Sequence, residues 1–377
     1  MIRRLLSPFF PTSQFPGAGK SCLSIFWAAL ALIAPAAVAS ADEPNRPIAN
    51  MFDPLSTPAR MIHESSLLVS LICLVIFLIV TGMLVYVVFK FPSKGAADDR
   101  KEPPQVYGSS QIELAWTVIP ILITIVLILV TTRTIGEIQD RKIPNAALHV
   151  RVIGHQWWWE LQYLTQNGVD KEGNPVWKTD FVTANELHIP VSDKNSVRPT
   201  ELILESADVI HSYWVPQLNG KTDVVPNHTN HMWLDPWSTG TYFGNCAEYC
   251  GTQHANMLIR VMVQTPEDFA KWVANQKAPS VIPTDSVALQ GQKDFFGNSC
   301  VNCHKVDGTV AVGTFGPNLT HFASRSWLGS GVALQNQADI RDWVRDPNHL
   351  KPGVLMPDMQ LSEPQIDQIT AYLMTLK

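Results

Sequence analysis

Charge is what this sequence of 377 residues has least of. Only 16% of its residues are Asp, Glu, Lys or Arg, against a typical value of about 25%, and 46% are hydrophobic. This composition excludes a disordered chain or a coiled coil, which need high charge or apolar heptads. The 28 basic residues are outnumbered by 33 acidic ones, so the net charge is −5. No basic excess is available to coat a phosphate backbone, and we predict no nucleic-acid partner.

Cysteine is scarce as well, with six residues in the chain, but four of them form two close pairs. One pair is Cys246 and Cys250, and the other is Cys300 and Cys303. The placement of these cysteines therefore carries more information than their number. The sequence shows no internal repeat.

The first 41 residues have the pattern of a cleaved secretory signal peptide. Basic residues precede an apolar run from 23 to 34, and small residues then offer cleavage after Ala39 or Ala41. An uncleaved membrane anchor is the alternative. Cleavage would leave residues 42–66 as an exported N-terminal segment.

Two apolar runs predict a transmembrane hairpin. Leu67–Phe89 is long enough, at about 1.5 Å per residue, to cross a hydrocarbon layer about 30 Å thick, and Leu114–Val130 is a second such run. The loop between them carries four basic residues: Lys90, Lys94, Arg100 and Lys101. The positive-inside rule places that loop in the cytoplasm. Everything after about residue 131 is then expected outside the cytoplasm, as a cleaved signal also requires.

Beyond the hairpin, the sequence predicts two domains. Alternating or β-rich segments separated by Gly, Pro and Asn turns predict a β-sandwich or barrel: 147–153, 201–205 and 258–263. A short helix over 266–275 and a proline-containing linker follow. From residue 286 the chain is expected to be helical, with a last helix over 363–376 that Ser362 caps.

One loop combines two cysteines with a histidine and a methionine. From Cys246 through Cys250 and His254 to Met257, the spacing is C-x3-C-x3-H-x2-M. Thiolate, imidazole and thioether together favour a soft metal, copper foremost. With His211 upstream at an expected strand end, these ligands are too many for one copper ion and suit two. Thiolates shared by two ions spread one electron over both, which favours fast electron transfer.

Two other interpretations of this loop stay open from the residues alone. A cysteine pair in an exported domain commonly forms a disulfide, and three intervening residues allow one sterically. If the two cysteines formed a disulfide, the spacing of the histidine and the methionine after them would be a coincidence. A zinc site is the second alternative, although methionine is a poor zinc ligand.

The loop resembles the dinuclear copper (CuA) loop of cytochrome c oxidase subunit II. Residues 113–120, with the sequence ELAWTVIP, resemble the start of that family's second membrane helix. Residues 154–159, GHQWWW, resemble its aromatic strand, and residues 206–212 carry the upstream histidine. Several motifs in the family's order make the resemblance specific.

The resemblance implies a complete set of copper ligands and a neighbouring magnesium ion. The implied copper ligands are the bridging Cys246 and Cys250, His211 and His254 with one ion each, Met257 on one ion, and the backbone carbonyl of Glu248 on the other. The side chain of Glu248 would reach a magnesium ion at the boundary with subunit I.

The resemblance implies two further roles. Trp157 would be the surface residue at which an electron arrives from cytochrome c. A core aromatic is the alternative, but three consecutive tryptophans on a strand cannot all face inward. Glu113, at the cytoplasmic end of the second membrane helix, would be a candidate mouth of a proton pathway, with a solvated helix end as the alternative.

One departure from the family pattern follows the segment Lys221–Asp223. The family usually has Pro-Gly-Arg there, whereas this chain has Pro226, Asn227 and His228. Asparagine tolerates a left-handed backbone almost as glycine does, so we expect the turn to survive. Loss of the arginine puts the usual charge contacts toward subunit I in doubt.

The second cysteine pair belongs to a C-x2-C-H motif that ends at His304. This is the attachment signature of a c-type haem, in which Cys300 and Cys303 form thioethers and the histidine supplies the proximal nitrogen. A zinc knuckle is the alternative, but export favours haem. With both pairs assigned, only Cys22 and Cys73 remain, and no disulfide is needed.

Two later segments resemble the class I cytochrome c family: 316–319, GPNL, and 351–357, KPGVLMP. The resemblance implies Met356 as the sixth haem ligand, and ligation by His and Met raises the haem potential. Met359 is the rival ligand, three residues later.

The expected fold is a multi-domain membrane protein with a two-helix transmembrane hairpin, a cupredoxin-like β-sandwich or barrel, and an all-α class I cytochrome c domain. The expected boundaries are 1–41 for the signal peptide, 42–66 for the exported segment, 67–133 for the hairpin, 134–276 for the CuA domain, 277–285 for the linker and 286–377 for the cytochrome c domain.

The sequence thus predicts subunit II of a caa-type haem–copper oxidase in the inner (plasma) membrane, with both cofactor domains on the outer side. Electrons from a cytochrome c donor would pass through haem c and the two copper ions to haem in subunit I, where oxygen becomes water and protons are pumped. Its partners would be subunit I, the other oxidase subunits and the lipid bilayer. A nitric oxide reductase-like enzyme is the alternative. A quinol-oxidase module is another, although its family lacks the copper ligands.

Overall fold

The structure, a computed structural model, describes residues 50–92, 102, 105, 107–139, 146, 148–173, 175–192 and 199–377. The expected signal peptide lies outside the described residues. The same is true of Lys94, Arg100 and Lys101 in the expected cytoplasmic loop. Lys90, the fourth basic residue of that loop, is exposed in the last turn of the first helix.

Two long helices form the predicted hairpin: α1 spans Thr57–Lys90 and α2 spans Ser110–Gln139. Both are long and apolar enough to cross a membrane, and their apolar stretches are not buried within the described chain. α1 begins well before residue 67, because the hydroxyl of Ser56 caps it by accepting a hydrogen bond from the N–H of Ala59. Hydropathy detects only the apolar part of a helix, so both helices extend beyond their predicted outer limits.

In the described part of the chain, ten strands form the predicted β-sandwich, here called the β-domain. They are β1 Leu148–His155, β2 Trp158–Val169, β3 Pro175–Ala184, β4 Glu186–Pro190, β5 Thr200–Ser206, β6 His211–Trp214, β7 Thr222–Val224, β8 Asn230–Leu234, β9 Gly240–Cys246 and β10 Leu258–Gln264. One sheet has the order β3-β2-β1-β5-β8, and the other has the order β4-β10-β9-β6-β7. β1 pairs in parallel with β5, as β4 does with β10, and the other neighbours are antiparallel.

The two sheets enclose one apolar core. On β1 the buried side chains alternate, with Val150 and Val152 facing inward, as the sequence pattern predicted. Leu202 and Leu204 of β5 and Val261 of β10 are equally inaccessible to solvent. Each such side chain contributes roughly 1.5–3 kcal/mol on burial. The resulting rigid sandwich carries the loop between β9 and β10.

A helix and a linker connect the β-domain to a helical C-terminal domain, here called the haem domain. The connecting helix is α3, Pro266–Gln276. The helices of the haem domain are α4 Ser286–Gly297, α5 Cys300–Cys303, α6 Gln337–Arg345, α7 Pro347–Leu350 and α8 Glu363–Thr375. Ser362 is the N-cap of α8, as predicted. α4 and α8 cross so closely that a Cβ atom on Gly291 would lie 1.8 Å from the carbonyl oxygen of Gln368. Phe295 and Tyr372 pack together in the core of this domain.

The haem domain is mainly helical, as predicted, with one short pair of strands in addition. A short ribbon pairs β11, Trp327–Leu328, with β12, Ala333–Leu334. Its turn contains Gly329, Ser330 and Gly331, all with a left-handed backbone, at φ values of 59°, 66° and 90°. The ribbon escaped sequence analysis because strands of two residues show no alternation.

The outer ends of both membrane helices are bound to the β-domain. At the start of α1, the backbone N–H of Thr57 donates to the carboxylate of Asp235 at 2.9 Å, and the Thr57 hydroxyl donates to the same carboxylate. Asp235 is fully buried. Near the end of α2, the indole N–H of Trp233 donates to the carbonyl of Ile138 at 2.8 Å. These bonds orient the β-domain over the hairpin.

A carboxylate between two histidines supports a pH-dependence prediction for the β-domain. Glu201 on β5 accepts hydrogen bonds from His149, at 2.7 Å, and from His231, at 2.9 Å, which lower its pKa to about 2 from the ordinary 4.5. A lowered pKa stabilises the fold above about pH 4.5, and this stabilisation is lost as the pH falls toward 2. Glu201→Gln should therefore destabilise the domain by roughly 2–3 kcal/mol at pH 7 and much less at pH 3. Denaturant unfolding at both pH values measures the difference.

Glu205→Gln is the matched control, on the same strand. The Glu205 carboxylate is 37% exposed and lies 3.4 Å from Arg151, and exposed ion pairs contribute only about 0–1 kcal/mol. Equal destabilisation by both substitutions would contradict the assigned role of Glu201.

Candidate functional site

The predicted copper loop connects two paired strands. Cys246 is the last residue of β9, and Met257 directly precedes β10. The backbone N–H of Cys246 donates to the carbonyl of Met257 at 2.9 Å, which closes the base of the loop. His254 begins a short 3-10 turn inside it. The loop is therefore fixed at its two ends by the sheet.

The two sulfur atoms of the loop face each other without a bond. The Sγ atoms of Cys246 and Cys250 are 3.8 Å apart, whereas a disulfide bond measures about 2.05 Å. Both cysteines are free and buried. Such a pair is available to bind metal.

Four further donor atoms surround the sulfurs. Nδ1 of His211 and the carbonyl oxygen of Glu248 lie 3.9 Å and 3.3 Å from Cys246 Sγ. Nδ1 of His254 and Sδ of Met257 lie 3.7 Å and 3.9 Å from Cys250 Sγ. Two ligands of one tetrahedral ion, with bonds of about 2.0–2.3 Å, are roughly 3.3–3.8 Å apart. The sulfur–nitrogen and sulfur–sulfur separations thus fit shared metal ligands, and the donor types fit copper.

His211, Cys246 and Cys250 form one compact group. Their ligand atoms all lie within 4.8 Å of one another, and all three residues are buried. His211 is the first residue of β6, which pairs with β9, so the tertiary fold brings it to the loop. Gly154 leaves room for its ring, because a Cβ atom there would lie 2.7 Å from the imidazole.

Asp208 orients His211, and sequence analysis did not identify it as a functional residue. Its carboxylate lies 2.8 Å from Nε2 of His211, which directs Nδ1 toward the sulfurs. Burial lowers the pKa of His211, but the hydrogen bonds to Asp208 and Cys246 outweigh burial and leave that pKa raised. The feature of the sequence that could have identified Asp208 is its carboxylate, three residues before the predicted ligand His211.

The electrostatics of the sulfur pair favour a thiolate. The hydrogen bond with Cys250 lowers the pKa of Cys246 far below that of an ordinary thiol, and hydrogen bonds with His211 and with the backbone of Ser212 act in the same direction. Burial opposes this shift but does not cancel it. Thiolate is the form in which cysteine binds metal.

Trp157 is buried, so its prediction as a surface residue is wrong. Its side chain is only 8% exposed, and its indole N–H donates to the carbonyl of Cys250 at 2.9 Å. The carbonyl of Trp157 accepts a hydrogen bond from Lys351, a haem-domain residue 194 positions later. That distant segment could not be anticipated from the local sequence. Of the other two tryptophans, Trp159 is buried and Trp158 is partly exposed.

Two other predicted positions lie away from this centre. Glu113 is exposed in the first turn of α2, at the end of the hairpin opposite the β-domain, and its role stays a prediction. Asn227 has a φ of 60°, so the expected left-handed backbone is confirmed at the position where the family usually has glycine.

The C-x2-C-H motif forms a single helical turn followed by an extended residue. Nδ1 of His304 hydrogen-bonds the carbonyl of Pro317 at 2.9 Å, which leaves Nε2 free as a ligand. Burial lowers the pKa of His304, which favours the neutral, metal-binding form. Gly316 lies against the ring, where a Cβ atom would approach to 2.7 Å. These features fit a proximal haem histidine flanked by Cys300 and Cys303.

Met356 lies in the segment that follows α7. Its Sδ accepts a hydrogen bond from the indole N–H of Trp343 at 3.2 Å. Trp343 packs against the core of the haem domain. The choice between Met356 and Met359 as haem ligand stays a prediction.

Comparison with known proteins covers nearly the whole described chain. The family model of the cytochrome c oxidase subunit II transmembrane domain matches residues 50–133, that of its periplasmic domain matches 148–264, and that of cytochrome c matches 288–377. The periplasmic domain of subunit II of cytochrome oxidase from Bradyrhizobium japonicum is a solved structure of 28% identity and TM-score 0.29, covering 36% of this chain and 96% of its own.

Two curated relatives extend across the domains. Cytochrome c oxidase subunit 2 of Alkalihalophilus pseudofirmus is 32% identical over 330 residues, which cover 86% of this chain and 90% of the relative. Cytochrome c oxidase subunit 2 of Bacillus sp. strain PS3 is 34% identical over 298 residues, covering 74% and 78%. The chain therefore belongs to the cytochrome c oxidase subunit II family, with a cytochrome c domain at its C-terminal end.

Proposed function

We propose that this chain is the subunit through which electrons enter a haem–copper oxidase. It accepts electrons from a cytochrome c donor through its own haem c and a dinuclear copper centre. It passes them to haem in subunit I, where oxygen is reduced to water with proton pumping. The observation that carries the proposal is the convergence of two cysteine sulfurs, two imidazoles, a thioether and a carbonyl, each within 3.9 Å of the nearest sulfur.

The proposed copper ligands are those around the sulfur pair. Cys246 and Cys250 would hold two copper ions together with His211, His254, Met257 and the carbonyl of Glu248. The bound copper pair supplies one-electron transfer. The protein contributes a fixed donor set, because the N–H of Ala247 also donates to the carbonyl of Ser212, at 3.0 Å. Ligands that cannot move keep the reorganisation on electron transfer small.

The proposed haem ligands belong to the second site. Cys300 and Cys303 would attach haem c, and His304 and Met356 would bind its iron. The bound haem supplies one-electron transfer at a potential that the His/Met pair raises. The chain's part is to hold His304 neutral and oriented through the carbonyl of Pro317.

The exposed side of the copper loop is the proposed contact with subunit I. Tyr249 is 76% exposed, Ile210 is 45% exposed, and Glu248, whose carbonyl lies beside Cys246 Sγ, is exposed as well. An apolar surface beside a carboxylate suits a protein partner. We place a magnesium ion at Glu248 on that boundary and the mouth of a proton pathway at Glu113. The hairpin lies in the inner (plasma) membrane, with both cofactor domains on its outer side.

Metal and haem analysis of the exported portion, residues 134–377, tests the cofactor assignment. We expect two copper ions and one covalently bound haem per chain. A metal-free protein with Cys246 and Cys250 joined in a disulfide during turnover would contradict it. The acceptor is tested on the purified complex, which should consume oxygen with reduced cytochrome c. Reduction of nitric oxide but not oxygen would favour the alternative enzyme.

A further inference from the structure

We infer that Lys351 is a positioning residue that fixes the haem domain on the β-domain beside Trp157. The inference deepens the proposed function and rests on it. In this arrangement the haem domain is docked on the β-domain in a defined register and is not held by the linker alone. The contacts that support it come from both domains.

The Lys351 side chain is buried in the interface between the two domains. It is 1% exposed, and its ammonium group donates to three backbone carbonyls. These belong to Trp157 at 2.8 Å, Asn256 at 3.0 Å and Gly329 at 2.9 Å. An ammonium has three donors, so each finds an acceptor. Two of the acceptors are in the β-domain, and a buried lysine without them would be costly.

Buried charges of the β-domain provide a second attachment. Glu186 is 2% exposed, and its carboxylate accepts hydrogen bonds from the backbone N–H groups of Ser326 and Trp327, both at 2.7 Å. Arg260 is 3% exposed; it donates to the carbonyl of Gly331 at 3.3 Å and lies 4.7 Å from the centre of the Trp327 ring. Charge-assisted bonds to backbone groups are directional and define a register.

The turn of the β11–β12 ribbon is the part of the haem domain that receives these contacts. Ser330 and Leu258 exchange backbone and side-chain hydrogen bonds, with the N–H of Leu258 donating to Ser330 at 3.2 Å and the Ser330 hydroxyl donating to Leu258 at 3.1 Å. Gly331 lies against Arg260, because a Cβ atom there would come within 2.8 Å of the guanidinium. The left-handed turn is thus shaped to the β-domain surface.

Lys351 also completes a continuous series of contacts between the two candidate centres. From the haem side, Met356 accepts from Trp343, whose ring would lie 2.6 Å from a Cβ atom on Gly329. The carbonyl of Gly329 and that of Trp157 both accept from Lys351. On the copper side, the Trp157 indole donates to the carbonyl of Cys250 at 2.9 Å. Every link is a hydrogen bond or a close packing contact.

The docked haem domain also adjoins the β-domain at Trp157, because Lys351 donates to the backbone carbonyl of that residue. Since this tryptophan is 8% exposed, an external cytochrome c has little access to it. The external donor therefore delivers its electron to the haem domain, and the electron reaches the copper pair only across the Lys351 interface.

The test compares Lys351→Met with the wild-type chain in the intact oxidase complex. Methionine retains an apolar side chain of similar length but has no donors. After rapid reduction of haem c, one electron passes from the haem to the oxidised copper pair, and its rate is followed by absorbance. We expect a several-fold decrease, because loss of the three hydrogen bonds lets the two domains move apart and electron tunnelling slows as the distance between the centres grows. The potentials of haem and copper should be unchanged.

Hydrogen exchange supplies a readout that does not depend on activity. The amides of Ser326 and Trp327 are bonded to Glu186, so they should exchange faster in Lys351→Met than in the wild type. Lys293→Met, at an exposed position on α4, is the control and should leave both readouts unchanged. If Lys351→Met fails to assemble, Glu186→Gln decides by the same two measurements.

Unchanged transfer and unchanged exchange in an assembled variant would overturn the inference. That result differs from failure of the proposed function, in which the wild-type haem would pass no electron to copper at all.

Discussion

Replacing Cys250 by serine is expected to abolish electron transfer from cytochrome c to oxygen. The Sγ atom of Cys250 lies within 3.9 Å of Cys246 Sγ, His254 Nδ1 and Met257 Sδ. Its replacement therefore affects most of the donor atoms of the site. A serine hydroxyl is a harder and far less acidic ligand than a thiol, and it cannot bridge two copper ions as a thiolate does. Oxygen consumption with reduced cytochrome c should fall to background.

Copper analysis and a matched cysteine substitution make this experiment specific. Cys250→Ser should lose copper but keep its covalently bound haem, because Cys300 and Cys303 belong to the other domain. Cys73→Ser changes an exposed cysteine of α1 in the same chain and should leave copper content and turnover unaltered. Normal turnover in Cys250→Ser would refute the copper assignment.

Replacing Met356 by alanine is expected to lower the potential of haem c by on the order of 100 mV, since axial ligands tune haem potentials over a range of about 0.8 V. For a one-electron couple, about 59 mV changes the equilibrium tenfold, so reduction by the external donor becomes roughly fiftyfold less favourable. Turnover with cytochrome c should fall accordingly. A redox titration of the purified complex, followed through the haem absorbance, measures the shift.

Met359→Ala is the control that the sequence itself offers. Both methionines are partly buried in the same segment, so the two substitutions perturb packing to a similar extent. Only loss of the true ligand should alter both the potential and the ligand-sensitive absorbance. A normal potential in Met356→Ala together with a lowered one in Met359→Ala would transfer the ligand role to Met359.

The parts of the site that are close in sequence were the parts that could be predicted. Cys246, Cys250, His254 and Met257 fall within one loop, and their side-chain types at fixed spacing already indicate a soft metal. The alternation in β1 and β5 likewise revealed the sandwich. A loop between two antiparallel strands needs no long-range information to bring its own donors together.

Residues that act through tertiary contacts could not be predicted. Trp157 was expected at the surface as the residue at which an electron arrives, but it is buried, and its backbone carbonyl accepts from Lys351, 194 positions away. Asp208 matters only because its carboxylate meets the far side of the His211 ring. The β11–β12 ribbon could not be predicted for the same reason, because its glycine-rich turn forms hydrogen bonds with Leu258 and Arg260 of the β-domain. Sequence periodicity contains no information about such partners.

The two bonds that link the hairpin to the β-domain have a mechanical consequence. Thr57 and Ile138 belong to different helices, so the β-domain is attached to the hairpin at two separate points. It therefore cannot rotate about either attachment point alone. Any change in the inclination of the helices must therefore rotate the whole exported body. A change in lipid thickness that alters this inclination would therefore also alter the height of the sulfur pair above the bilayer.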